Sequence, residues 1–216
     1  MLPRRNVAVS SKGFSGVLPQ GERMLEDVSW VNHAGVGYIF PGGAKAGILN
    51  KSVEGSWQLI NLQTDIREKG PVANDIFCLF LDHGDNLWDD RYAYVVVPGA
   101  DASQTAEFAS HNDIVVLSNT RSLQSVMDTG TGIVYAAMYA GGELRLSDSL
   151  SIASETPVML LVRLDTSTGS VSEIVASDPS RNSSALHLTV RSAGSSRTYD
   201  VALPQDELGG SSIKVL

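Results

Sequence analysis

The sequence predicts an all-β protein, an antiparallel β-sandwich arranged as two packed β domains. Three observations carry that prediction. Short apolar runs rich in β-branched and aromatic residues recur along the whole chain. Clusters of Gly, Pro, Asn and Asp punctuate them, as chain reversals require. No window of useful length repeats its apolar residues with the helical period, which argues against alternating β-α-β units.

Taken in order, residues 1–23 are rich in Gly, Ser, Pro and Arg, with one short apolar patch, Val7 to Val9. They read as an edge strand followed by a loop. Val28 to Phe40 ends in a strand, Val36 to Phe40, which the turn signal Pro41-Gly42-Gly43 is expected to stop. Gly47–Val53 and Gly55–Leu62 follow as two more strands. Trp57 lies among apolar neighbours there, and we expect it in the core, packed on the run Phe77 to Leu81. Residues 64–70 (TDIREKG) form a charged loop before Pro71.

The centre of the first domain is expected between Asp75 and Gly99. Ile76–Leu81 and Tyr92–Val97 are continuous apolar runs of strand length, the pattern of strands buried on both faces. They are expected to be hairpin neighbours, with Asp82–Asp90 as the exposed connection. Cys78, the single cysteine, excludes an internal disulfide and reads as a small buried hydrophobe.

Beyond Pro98 the composition shifts toward Ser, Thr and Ala, which sets the expected domains at 1–100 and 101–216. Asp101 to His111 predicts one short helix, with Asp101 or Ser103 as its cap. Strands are then expected at 114–118, 122–128, 133–139, 143–146, 157–164, 171–176, 186–191, 199–203 and 213–216. Gly141-Gly142 fits a two-residue hairpin turn with positive φ at both positions. Leu186, Leu188 and Val190 alternate with His187, Thr189 and Arg191, as in a strand with one wet face.

The chain has 216 residues, 43% of them apolar, and a net charge of −8 with a pI near 4.9. That balance argues against a nucleic-acid partner, since phosphate contacts need clustered Lys and Arg. No run approaches the roughly 18 apolar residues of a membrane span, so no membrane partner is expected. Met1 to Val9 shows no signal peptide, and an exported parent whose N-terminal part lies elsewhere looks the same.

Candidate sites are few. Asp82-His83-Gly84-Asp85 with Asp89-Asp90 offers carboxylates to a hard cation, but lacks the spacing of a calcium-binding helix–loop–helix. Turn chemistry accounts for the same residues, so no metal and no cofactor is expected. Asn32-His33 reads as a satisfied polar pair at a sheet end rather than a ligand contact. Of Trp30, Trp57 and Trp88, the last sits in a loop and is the best placed to stack on a sugar ring. Asn50-Lys51-Ser52 and Asn182-Ser183-Ser184 are formal glycosylation sequons. No Gly-x-Ser-x-Gly elbow, phosphate-binding loop, dinucleotide fingerprint or paired-Cys spacing occurs, so no catalytic residue is assigned.

Several segments together carry a resemblance. Trp30-Val31-Asn32-His33-Ala34-Gly35-Val36-Gly37-Tyr38-Ile39-Phe40-Pro41, Gly55-Ser56-Trp57 with Ile60-Asn61, Leu81-Asp82-His83-Gly84 and Tyr92-Ala93-Tyr94-Val95-Val96-Val97-Pro98 come in the order found in family 8 polysaccharide lyases. Leu117-Ser118-Asn119, Gln124-Ser125-Val126 and Ser177-Asp178-Pro179-Ser180 resemble that family's C-terminal domain. The resemblance implies the end of a central β-sandwich domain followed by a C-terminal sandwich. It further implies a secreted parent that cleaves hyaluronan, chondroitin or xanthan by β-elimination, with its proton-transfer residues in an N-terminal α/α toroid absent from this chain. The implied partners are therefore an acidic polysaccharide and that toroid. Among the residues present, Arg67, Lys69 and Trp88 are the candidate substrate contacts, Arg67 and Lys69 because a loop at the toroid's rim would meet substrate carboxylates. The rival reading is a stand-alone carbohydrate-binding or adhesive module.

Overall fold

In the computed structural model, residues 6–60, 70–85, 88–111 and 113–216 are described. The chain divides into two compact units, Met1–Asn112 and Asp113–Leu216. The expected boundary at 100/101 falls before the helix α1 (Ala102–His111), which packs on strands of the first unit.

The first unit is built on one antiparallel sheet. β1 (Val7–Ser11) and β2 (Phe14–Leu18) form a hairpin where only an edge strand and a loop were expected. β3 (Gly21–His33) and β4 (Val36–Gly55) are long partners joined through Ala34 and Gly35, both at positive φ (52° and 81°). That is the reversal whose twist matches two right-twisted strands. β4 does not stop at Pro41-Gly42-Gly43. Gly42 and Gly43 take φ of 86° and 81° inside the strand, opposite Asp27 at 48°, and the ladder with β3 shifts register there. The expected turn is thus a bulge, which bends the strand and continues it.

β5 (Val72–Leu81) and β6 (Val95–Pro98) complete the sheet, in the order β2-β1-β3-β4-β5 with β6 also on β4. They are not hairpin neighbours. β5 pairs with Ala46–Gly55 of β4 and β6 with Val36–Ile39, both antiparallel. They are collinear pieces of one edge partner. Nor are they buried on both faces: Phe77, Leu79 and Leu81 join the core with Val9, Val31, Phe40 and Ile48, while Cys78 and Phe80 are exposed. Continuous apolar character misled because it cannot report what lies beyond the second face.

Of the strand expected over 55–62, the described residues 56–60 form none, and residues 61 and 62 lie outside the described residues. Trp57–Leu59 form a single 3-10 turn, and Trp57 is 54% exposed rather than buried against β5. Leaving the sheet at Gly55 removes Trp57 from the pleat that would have turned it inward.

The helix appears where expected. Asp101 Oδ1 accepts the Gln104 N–H at 2.8 Å, and Gln104 Oε1 accepts the Asp101 N–H at 3.0 Å, a reciprocal cap.

The second unit is a two-sheet sandwich. Its six-stranded sheet runs β16 (Ile213–Lys214), β13 (Val171–Ser177), β12 (Val158–Leu164), β9 (Ile133–Met138), β8 (Leu123–Asp128), β7 (Ile114–Asn119). The four-stranded sheet runs β10 (Gly142–Arg145), β11 (Leu150–Ser154), β14 (Ala185–Ser192), β15 (Ser195–Ala202). Val134, Leu160 and Ile174 from one sheet meet Leu144, Ile152 and Leu188 from the other in one core. β11 was not foreseen. Gly141-Gly142 makes no hairpin: β10 pairs with β11 and not β9, and neither glycine has positive φ. Gly141 is needed for close approach instead, since a Cβ there would stand 2.4 Å from the Glu155 carbonyl oxygen.

Candidate functional site

The interruption between β5 and β6 builds the most distinctive surface of the first unit. Asp82 to Tyr94 stand opposite only Phe40 to Lys45 of β4, so the excess chain leaves the sheet edge. The excursion is tied down at its root. The Asp82 N–H donates to the Lys45 carbonyl at 3.0 Å, and Lys45 Nζ lies 2.8 Å from the Asp82 carboxylate. Asp82 also accepts the Gly84 N–H at 3.0 Å. Hydrogen bonding from Lys45 first, and from the Gly84 amide, holds the Asp82 carboxyl below its ordinary pKa, and the same pair raises Lys45.

Farther out, His83 Nδ1 pairs with Asp90, whose carboxylate also accepts the Arg91 N–H at 2.8 Å. That amide, then His83, lowers the Asp90 pKa. Arg91 reaches back to Asp89 at 3.3 Å. The carboxylates of Asp82, Asp89 and Asp90 are thus engaged by Lys45 of β4 and by cations and amides of the loop. Among the described residues no group of three His, Cys, Asp or Glu is placed to hold a metal ion.

These ties leave the aromatic rings outward. Tyr92 and Tyr94 stack at 6.2 Å with 13° between planes, and His83 lies 5.7 Å from Tyr92. With Tyr38, Phe77 and Phe80 they line an open groove of about 570 Å³. Trp88 stands on the same excursion, 87% exposed. Flat rings with hydroxyl edges, presented at a sheet margin, suit the apolar face of a ring-shaped ligand.

Of the residues singled out from sequence, Trp88 is therefore on this loop. Arg67 and Lys69 lie outside the described residues. Asn32 is buried, its Nδ2 donating at 2.8 Å to both the Ala100 carbonyl and Thr105 Oγ1, which makes it a tether for α1. His33 stacks on Phe77 at 4.0 Å. Asn50 of the first sequon is buried in β4, whereas Asn182 of the second is exposed. Sequence reasoning missed Tyr92 and Tyr94 by reading them into a buried strand. The signal was their period of two: Tyr92, Tyr94 and Val96 are exposed, while Ala93, Val95 and Val97 are half-buried.

Comparison with known proteins accounts for both units. Residues 3–109 match the model of the polysaccharide lyase family 8 super-sandwich domain, and residues 115–187 that of the family 8 C-terminal β-sandwich domain. Chondroitinase-AC of Pedobacter heparinus is 28% identical over 188 residues, covering 86% of this chain and 26% of the relative. A hyaluronate lyase of Thermasporomyces composti is 30% identical over 167 residues, 76% of this chain and 20% of the relative. Among solved structures, a chondroitinase AC lyase superposes with a TM-score of 0.81 at 26% identity, over 97% of this chain and 30% of that one. The chain spans about a quarter of the length of these relatives. With two family models matched in succession and the corresponding folds in place, the chain belongs to polysaccharide lyase family 8.

Proposed function

We propose that this chain is the β-sandwich portion of a secreted lyase that cleaves an acidic polysaccharide of the hyaluronan, chondroitin or xanthan type by β-elimination, and that it is not itself the catalytic part. One observation carries the reading: the two matched domains occupy most of the chain, yet that chain corresponds to only 20% to 26% of the length of relatives named for lyase activity. The parent's remaining part, an α/α toroid, then supplies proton transfer, and Arg67 and Lys69 approach its cleft from a rim loop. The test is absorbance of the unsaturated product, with purified chain incubated on each of the three polymers. We expect no turnover. Steady product formation would overturn the reading, because uncatalysed elimination is far too slow to imitate it.

A second reading, a carbohydrate-binding module, is favoured by the exposed Trp88 and the Tyr92–Tyr94 stack. Titration of tryptophan fluorescence with oligosaccharides separates it from the first. Saturable change abolished by Trp88→Ala supports the module, and no change returns the loop to a solvated surface.

A further inference from the structure

The two outward faces of the second unit's sandwich differ in chemistry. On the four-stranded sheet the outward side chains are polar and joined across strands. Glu143 accepts from Ser151 at 2.8 Å and from Arg191 at 3.1 Å, and Thr189 bonds Thr198 at 3.1 Å. That is how a sheet meets water. On the six-stranded sheet, cross-strand pairing sets Val116, Val126, Tyr135, Leu161 and Val175 side by side from β7 to β13. Their neighbours along each strand, such as Val134, Leu160 and Ile174, point into the core, so this row points away from it. Val126 is 36% and Tyr135 50% exposed, and Met159 beside the row is 43% exposed. Val116, Leu161 and Val175 are half-buried, so the row forms one contiguous apolar strip across the sheet with Tyr135 standing highest.

We propose that two copies of the chain associate through this face, about a two-fold axis that runs along β9 and passes Tyr135. A two-fold interface needs a surface complementary to itself under the rotation. The row has that property. Rotation returns Tyr135 onto Tyr135, sets Val126 against Leu161 of the second copy, and sets Val116 against Val175. The adjoining row carries charge as well: Asp128, Ile133, Arg163 and Glu173 are register partners across β8, β9, β12 and β13, and Arg163 Nε lies 3.4 Å from Glu173, so the rotation brings the Asp128 carboxylate to the other guanidinium nitrogens of Arg163. An Asp128–Arg163 contact on either side of the axis offsets part of the repulsion between two chains of net charge −8. A central tyrosine among aliphatic side chains with a charged margin is also the anatomy of a protein interface. A glycan asks instead for adjacent stacked rings, whereas the second exposed ring of this face, Tyr139, lies beyond the row with its hydroxyl donating to Gln124.

The test is sedimentation equilibrium of the whole chain under reducing conditions, which keep the exposed Cys78 from linking copies. We expect a concentration-dependent monomer–dimer equilibrium. Tyr135→Glu should weaken it at least ~30-fold, as loss of a central interface residue does, with an unchanged thermal melt. Val126→Glu and Leu161→Lys should each weaken it, and the two together should restore it by pairing across the axis. Within one chain those positions are separated by β9, about 10 Å by two strand spacings, so restoration reports the contact between copies. A chain that stays monomeric to high micromolar concentration overturns the proposal, as does a dimer indifferent to Tyr135→Glu or a double variant that stays apart. A monomer whose Tyr135 ring resonances shift on adding hyaluronan or chondroitin oligosaccharides overturns it too, and gives the face to a glycan.

Discussion

Gly37 and Thr105 are in such close apposition that a Cβ on Gly37 would stand 2.5 Å from Thr105 Oγ1. The helix α1 lies on the sheet at this point. Asn32, one strand over and paired with Gly37, donates to the same hydroxyl, which in turn donates to the Asp101 carbonyl at 2.7 Å. Gly37→Ala should cost about 1–3 kcal/mol by overpacking, and most of that should vanish in a Thr105→Ala background, where the two nearest atoms are gone. Urea melts of the four variants form the cycle. Equal costs in both backgrounds would show that the helix shifts rather than resists. Asn32→Ala should cost about 1–3 kcal/mol, because it strips the buried Ala100 carbonyl of a donor.

Trp57 tests the departure from the sequence reading. Packed against β5, its replacement by Ala would cost about 3–5 kcal/mol. Half-exposed on a 3-10 turn, it should cost under about 1 kcal/mol. Ile152→Ala, from the fully buried core of the second unit, supplies the contrast at about 2–5 kcal/mol.

Gly141→Ala should destabilise the second unit by about 1–3 kcal/mol, since the atom opposing the new methyl is a backbone oxygen that cannot swing aside. Gly142→Ala, whose nearest neighbour is the Met138 methyl at 3.8 Å, should be far milder. Equal effects would return the pair to a turn role.

Asp165 gives a pH signature. Its carboxylate accepts the Ser167 hydroxyl first, then the Thr168 and Ser167 amides, which lower its pKa from 3.8 to about 2. The folded state therefore holds its proton less tightly than the unfolded state. The stabilisation is complete above the unfolded value near 4 and is lost as pH falls toward 2. The gap in urea midpoint between the protein and Asp165→Asn should be constant above pH ~4 and close by pH ~2. A gap that ignores pH across that window would assign the turn to neutral hydrogen bonding.

The proposal for Arg67 reads out in kinetics. In the complete enzyme, Arg67→Ala should raise KM roughly tenfold, about 1.4 kcal/mol, with little change in kcat. Arg67→Lys should recover part of it, since an ammonium cannot copy two parallel hydrogen bonds to a carboxylate. Unchanged kinetics make Arg67 a solvated side chain.

The second unit, β11 apart, was legible because its strands carried their own evidence. Leu186, Leu188 and Val190 alternate with polar residues, and the structure places Leu186 and Leu188 in the core. The helix was legible from Asp101, whose carboxylate does cap it. What failed was long-range or locally disguised. Nothing within residues 76–97 announces that both apolar runs pair with a third strand; that is a property of β4. The first half of β3, Gly21 to Asp27, hides behind charged residues on exposed positions. Pro41-Gly42-Gly43 spells a turn and forms a bulge, because the strands on either side hold the register. The aromatic groove was written as alternation inside a run that looked uniformly apolar.

Since β4 anchors the chain both before Asp82 and after Tyr94, the length of that excursion is uncoupled from the pairing of every other strand. Residues can be added or removed there with no ladder shifted and no core side chain turned outward. Doubling a loop adds only about 0.6 kcal/mol of closure entropy. This margin of the sheet is accordingly a place where insertions are tolerated, and where an epitope tag or a grafted peptide can be carried without refolding the rest.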